Sequence, residues 1–299
     1  MSAFARNRRR GIDTLPPSVA AFILLPFLLE AAVVFAPAIQ GILLSFTEWR
    51  GVGSPKAVGL QNFRELSDDP IFKVAFKNTV RWLIAFGGFS GLLGLSLALL
   101  LRAERRGVAV YRSLIFLPVI FSLVVTALVW RVLYAPEGFF NNALQAVGLG
   151  SSGRIWLAEP RTVLYALVVA SLWRSSGYIM VLYLAGLKSI DPVLTEAARV
   201  DGASRWQLLR HITMPQLKGV NSVVLSVIVI DALRSFDIVY ALTKGGPYNS
   251  SQLLSTYMFQ TAFATGRLGY ASAIAVVIFM LSISFIVIYL VRALREDVK

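Results

Sequence analysis

Six runs of mainly apolar residues, separated by polar connections, set the plan of the chain: 19–45, 80–101, 113–134, 163–187, 220–242 and 270–294. About 20 such residues in a helix are needed to cross the hydrocarbon core of a membrane. Lipid offers no partner for a free backbone N–H or C=O, so each run is predicted as a helix. The pattern therefore predicts an all-α membrane protein with six transmembrane helices. The spanning domain covers residues 19–294, with flanking segments at 1–18 and 295–299. Gly87, Gly88, Gly91 and Gly94 in the second run form a small-residue stripe, which lets helix backbones approach closely in a bilayer. Pro26 and Pro37 in the first run predict kinks or unwound ends.

Composition supports this plan. Hydrophobic residues make up 57% of the 299, too many for a soluble globular domain. There is no cysteine, which excludes disulfides, thiol catalysis and Cys-ligated metal, and the single histidine, His211, cannot by itself build a His-based site. The net charge of +13 reads as membrane topology and attraction to anionic lipid headgroups rather than as nucleic-acid binding. One set of connections carries Arg6, Arg8, Arg9, Arg10, Arg102, Arg105, Arg106, Arg112, Lys188, Arg199, Arg205, Arg210, Lys218, Arg292, Arg295 and Lys299. The opposite set carries only Arg50, Lys56, Arg64, Lys73, Lys77, Arg154, Arg161, Lys244 and Arg267. The richer set belongs in the cytoplasm, which places both termini inside. The first apolar run is too long for the core of a signal peptide and is predicted as a retained span.

The most polar-rich stretch between two spans, residues 191–217, reads as two short helices. Asp191 can cap the first and Pro192 suits its first helical position. Asp201-Gly202 breaks it, because Gly adopts left-handed angles at little cost. Ser204 can cap a second helix through Trp206 and Leu209, which Pro215 closes. The result is a knob outside the membrane.

Glu196-Ala197-Ala198, Asp201-Gly202-Ala203 and Ile212-Thr213-Met214-Pro215 together resemble the "EAA" signature of membrane subunits of binding-protein-dependent ABC importers. Arg234-Ser235-Phe236-Asp237-Ile238-Val239-Tyr240-Ala241-Leu242-Thr243-Lys244-Gly245-Gly246-Pro247 and Gly269-Tyr270-Ala271-Ser272-Ala273 resemble runs of the maltose/glycerol-3-phosphate type of permease, first-permease branch. The connections around Gly59-Leu60-Gln61-Asn62-Phe63, Asn141-Asn142-Ala143-Leu144 and Trp156-Leu157 resemble external segments of the same branch, and short interfacial helices account for them equally well. The resemblance implies a type I ABC importer transmembrane domain in a prokaryotic inner or plasma membrane, with a coupling loop over 188–217. It also implies two ATPase subunits carrying ATP and Mg, a second related but non-identical permease subunit, an extracytoplasmic solute-binding protein, and no cofactor on this chain. Glu196 would fix the fold of the loop, Gly202 its break, and the surface from Ala203 to Leu209 would dock on the ATPase. An ordinary amphipathic loop is the plain alternative.

Ionisable residues inside spans are costly and normally face a wet cavity or the bundle interior. They are Glu30, Arg131, Arg174, Asp231, Arg234 and Asp237. The last three stand at i, i+3 and i+6, so in a continuous helix Arg234 would bridge one or both carboxylates. A structural ion-pair network and direct substrate contact are both open readings. Tyr178, Phe236 and Tyr240 can stack on sugar faces, although aromatics in spans commonly pack. No phosphate-binding loop of the G-x-x-x-x-G-K-[ST] form occurs, so the chain is not the ATPase, and no catalytic constellation is visible. The expectation is a permease that moves a sugar or sugar-like solute. The alternative is an ion-coupled secondary transporter using Asp231 and Asp237.

Overall fold

The computed structural model describes residues 17–149 and 155–297, and its backbone is helical apart from connections and one two-residue ladder, β1 (Thr47–Glu48) against β2 (Lys56–Ala57). Arg6, Arg8, Arg9, Arg10, Arg154 and Lys299 lie outside the described residues. The first span is α1 (Pro17–Glu30), a π-helical turn over Ala31–Phe35, and α2 (Ala36–Leu44). The wide turn sits just before Pro37, whose missing N–H and bulky ring disrupt the regular ladder. The predicted distortion at Pro37 is therefore local widening.

The next elements are α3 (Gln61–Asp68) and α4 (Pro70–Leu100). Asn62 fastens α3 to the end of the first span by donating Nδ2 to the carbonyls of Ser45 (2.8 Å) and Thr47 (2.9 Å). Asp69 caps α4, its Oδ1 accepting from the N–H groups of Ile71 and Phe72, with Pro70 at the first helical position. The same carboxylate accepts the hydroxyls of Tyr257 and Tyr270.

The centre of the bundle is α4 against α8 (Val163–Lys188), which pack together more extensively than any other pair. Alongside them lie α5 (Val108–Ile120) and α12 (Lys218–Leu233). Helix association in lipid depends on close van der Waals fit, since lipid tails are as apolar as leucine. The glycine stripe supplies that fit. A Cβ on Gly94 would lie 2.4 Å from Ile179 Cγ2, and Gly87 and Gly91 face Ile228. Trp82, Leu167, Ile179, Met180 and Val224 fill the core between these helices. The chain ends with α14 (Leu254–Phe263) and α15 (Leu268–Asp297), so residues 295–297 continue a helix.

Two of the six predicted spans are broken, which corrects the expectation of continuous helices. Among the described residues, four helices are long and apolar enough to cross a membrane, or five if one bent pair is counted. That pair is α5 and α6 (Leu123–Leu133), bent by 104°. Pro118 ends the ladder, Phe121 and Ser122 are extended, and Ser122 Oγ accepts Val125 N–H as the new cap. The predicted span 220–242 is α12 and α13 (Asp237–Thr243), separated at Arg234-Ser235-Phe236. No Pro or Gly lies there. Tertiary partners hold the break instead: Trp82 Nε1 donates to Ser235 Oγ (3.1 Å), and Ser255 Oγ donates to the Ser235 carbonyl. Beyond α13, Lys244 and Gly245 adopt left-handed angles and the predicted Gly-Gly-Pro stop operates.

Candidate functional site: a helical knob and a charged cavity

The stretch 191–217 folds as two helices, α9 (Pro192–Val200) and α10 (Arg205–Leu208), the second continuing through a π-helical turn (Leu209–Thr213) into α11 (Met214–Gln216). Asp191 Oδ1 accepts Val193 N–H at 2.9 Å. At the other end of α9, Ala203 N–H reaches the Ala198 carbonyl and Gly202 N–H reaches that of Arg199, while Gly202 sits at φ +80°. These are the paired bonds of a Schellman closure, which needs a left-handed residue where Gly202 stands. Ser204 and Gln207 form a reciprocal capping box, with Gln207 Oε1 accepting Ser204 N–H at 2.7 Å.

Pro215 does not close the helix. The π turn ahead of it absorbs the missing N–H, and the helix runs to Gln216. Glu196 is also corrected. It is exposed and makes no hydrogen bond or ion pair among the described residues, so capping residues and Gly202, not Glu196, fix the loop's fold. Ala197 is exposed and Ala198 half-buried beside it. Leu208, Thr213 and Leu217 face inward, whereas Val193, Val200 and Trp206 are exposed, Val200 at 88% and Trp206 at 66%. An apolar outer face on a polar loop is unusual for a surface that meets only water.

The second feature is a cavity of about 280 Å³ at the two helix breaks. Leu123 from the start of α6, Ser171, Arg174 and Ser175 from α8, and Asp231, Arg234, Ser235, Phe236 and Asp237 around the α12–α13 break contribute to its walls. Because the helix ends at Arg234, the three charges do not form the predicted i, i+3, i+6 stripe. No ion pair within 4.0 Å joins Arg234 to Asp231 or Asp237. They share a space rather than a helix face. Ser171 Oγ and Arg174 Nε are buried there without a hydrogen-bond partner. Such orphaned groups cost about 1–3 kcal/mol each, so they mark capacity for a guest or water.

The remaining predicted residues fall elsewhere. Arg131 is exposed and donates from Nη2 to the Ala241 carbonyl at 2.6 Å, bracing the end of α13. Tyr178 is partly exposed on α8, outside the cavity walls. Tyr240 stacks on Phe236 at 5.0 Å and packs against Phe259 in an aromatic cluster. Glu30 is exposed at the junction of α1 with its π turn. The serines 171, 175 and 235 were missed as site residues. Ser171 and Ser175, flanking Arg174 at helical spacing on an otherwise apolar span, were the available signal.

Comparison with known proteins places these features in context. Residues 90–299 match the family model described as "Binding-protein-dependent transport system inner membrane component". The chain is 35% identical over 284 residues to a probable ABC transporter permease protein of Pyrococcus horikoshii, covering 94% of this chain and 97% of that protein. It is 35% identical over 242 residues to the trehalose/maltose transport system permease protein of Thermococcus litoralis, covering 80% and 81%. The fold matches a chain of a bacterial alginate ABC transporter, solved with an alginate pentasaccharide-bound periplasmic protein. That match has TM-score 0.80 at 23% identity and covers 91% and 92% of the two chains.

Proposed function

The chain belongs to the binding-protein-dependent inner-membrane component family of ABC importers, and from that premise we propose that it moves a sugar or sugar-like solute through the cavity at its two broken helices. As a permease subunit it has no catalytic role of its own; its task is to bind, release and change shape. The observation that carries the proposal is the cavity itself, with its unpartnered Ser171 Oγ and Arg174 Nε beside Asp231, Arg234 and Asp237. Sugar hydroxyls both donate and accept, so alternating carboxylates, guanidinium groups and serines suit them. Phe86 and Phe236 offer apolar faces for the ring. A relative named for trehalose and maltose transport supports the sugar class.

The knob at 191–217 supplies the drive in this reading. The exposed face made by Val193, Val200 and Trp206 docks on an ATPase subunit. Closure of the ATPase pair then pulls the knob, and the breaks at 121–122 and 234–236 let the helix halves turn between outward- and inward-facing arrangements. One chain offers one knob, whereas an ATPase pair offers two grooves, so a second, non-identical permease subunit completes the assembly. A solute-binding protein delivers the substrate at the end where α4 begins. The ion-coupled alternative, with Asp231 and Asp237 as ion sites, gives the knob no task and is the weaker reading.

The test is uptake of a panel of labelled sugars by proteoliposomes holding the assembled complex, with and without ATP. Arg174→Gln is expected to lower uptake at least tenfold while the complex still assembles. Uptake independent of ATP, or unchanged by Arg174→Gln, would remove the proposal.

A further inference from the structure

Behind the knob, the end of α4, α9 and the π-helical stretch enclose two adjoining cavities of about 360 and 580 Å³, sharing Arg102, Thr195, Arg199 and Thr213. Lys188 borders one and Arg205 the other. Every charged side chain on these walls is a cation. Lys188 is paired with Glu104 at 3.0 Å, but among the described residues no carboxylate lies within ion-pair distance of Arg102, Arg199 or Arg205. Arg102, Arg199 and Arg205 are exposed, so water screens part of their mutual repulsion, and an anion between them would remove the rest.

Thr213 is an independent sign. It is only 4% exposed and lines both cavities, yet its hydroxyl has no hydrogen-bond partner among the described residues. A threonine in a helix ordinarily bonds back to the carbonyl four residues earlier. Thr79 and Thr243 do so here. For Thr213 that carbonyl belongs to Leu209, which accepts Met214 N–H across the π turn and receives no bond from the threonine hydroxyl. The hydroxyl of this buried residue is thus available to the cavity.

We propose that this cavity binds a phosphate group, held between the Arg102 and Arg199 guanidiniums with Arg205 and the Thr213 hydroxyl completing the set. Guanidinium forks match phosphate oxygens in pairs, and the hydroxyl supplies a further donor. The phosphate comes either from an anionic lipid headgroup or from a soluble phosphorylated molecule. Its binding joins the end of α4 to both knob helices, and so holds the angle of the knob. That last effect rests on the docking role assigned above; the binding does not.

The full chain, purified without ATPase in phosphatidylcholine nanodiscs, is titrated with inorganic phosphate, and a second series of nanodiscs contains phosphatidylglycerol. Melting temperature reads both series, and native mass spectrometry counts retained phosphatidylglycerol. A rise with inorganic phosphate identifies a soluble anion, and a rise with phosphatidylglycerol alone identifies a lipid headgroup. Either response is expected to weaken at least tenfold in the double variant Arg102→Gln, Arg199→Gln, and severalfold in Thr213→Val. Arg64→Gln, on α3 near the opposite end of α4, is expected to respond as wild type. The site is overturned if neither probe raises the melting temperature, if the cavity variants respond as wild type, or if Arg64→Gln loses as much.

Discussion

Replacing Gly202 by valine isolates the knob from the rest of the fold. The backbone there is left-handed, at φ +80°, and an added Cβ would meet no atom within 4 Å. The substitution therefore introduces backbone strain without a clash. A non-glycine residue in the left-handed region costs about 1–2 kcal/mol, and a β-branched one more. A packed helical bundle of this size does not unfold for that amount. The cost is instead relieved locally, by loosening the Schellman bonds from Ala203 to Ala198 and from Gly202 to Arg199, which frees α10 to change its angle to α9. Each 1.4 kcal/mol shifts a conformational ratio tenfold, so the native angle falls roughly 5- to 30-fold in relative population. A docking surface built on that angle loses affinity as its competent fraction falls, by up to that factor once the native angle is the minority state. The expected outcome is normal membrane insertion and yield, weakened co-purification of the ATPase, and uptake reduced in proportion. Gly202→Ala is expected to show the same defect more mildly. Full uptake by Gly202→Val with the ATPase still bound would show that the angle does not matter and the loop is an ordinary connection.

Glu196→Ala is expected to leave the stability within about 0.5 kcal/mol of wild type, as an exposed residue without a partner among the described residues should, while lowering ATPase co-purification. Circular dichroism melting and pull-down separate the two effects. Gly177→Ala is expected to destabilise by about 1–3 kcal/mol, because its Cβ would sit 2.4 Å from the Ile115 carbonyl oxygen, whereas Gly88→Ala, with open space around it, is expected to be neutral. Thermal unfolding in detergent reads both. Burial raises the Asp69 carboxyl, but hydrogen bonds from Tyr257, Tyr270 and the Ile71 and Phe72 N–H groups outweigh it, leaving it below the ordinary value. A depressed carboxylate stabilises the fold above the unfolded-state pKa, about 3.9, and that contribution is lost as pH falls through the folded value. Melting temperature is thus expected to drop below about pH 4 in wild type, more steeply than in Asp69→Asn, which already lacks the charge.

What could be read from the sequence followed the range of the interactions involved. Asp191, Ser204 and Gly202 act through bonds to residues at most five positions away, and their roles were legible from residue type and spacing. The bend after Pro118 was also available in principle, since a proline followed by the capping Ser122 is a local stop and start. The break at 234–236 was not. Its sequence is compatible with a helix, and what holds it open comes from Trp82 and Ser255, far along the chain. Everything that depended on that helix being continuous failed with it, including the charge stripe and the bridging role of Arg234. Glu196 failed for a different reason. Among the described residues nothing receives its side chain, and a single sequence could not distinguish a fold-fixing residue from one that meets a partner.

The two breaks are most intelligible together. Irregular backbone at membrane depth survives only where protein or a polar cavity satisfies its hydrogen bonds. Here Ser235 is satisfied at its side chain by Trp82 and at its carbonyl by Ser255, so the break itself is quiet. The polar groups without partners stand opposite, on the continuous helix α8: Ser171 Oγ and Arg174 Nε. A cavity serving only to accommodate broken helices would satisfy both of its walls. Here Ser235 at the break is satisfied, while Ser171 Oγ and Arg174 Nε stay free on the continuous helix. That division fits the transport role proposed above, in which a hydroxyl-rich solute would hydrogen-bond to α8 while the segments around 121–122 and 234–236 rearrange past it.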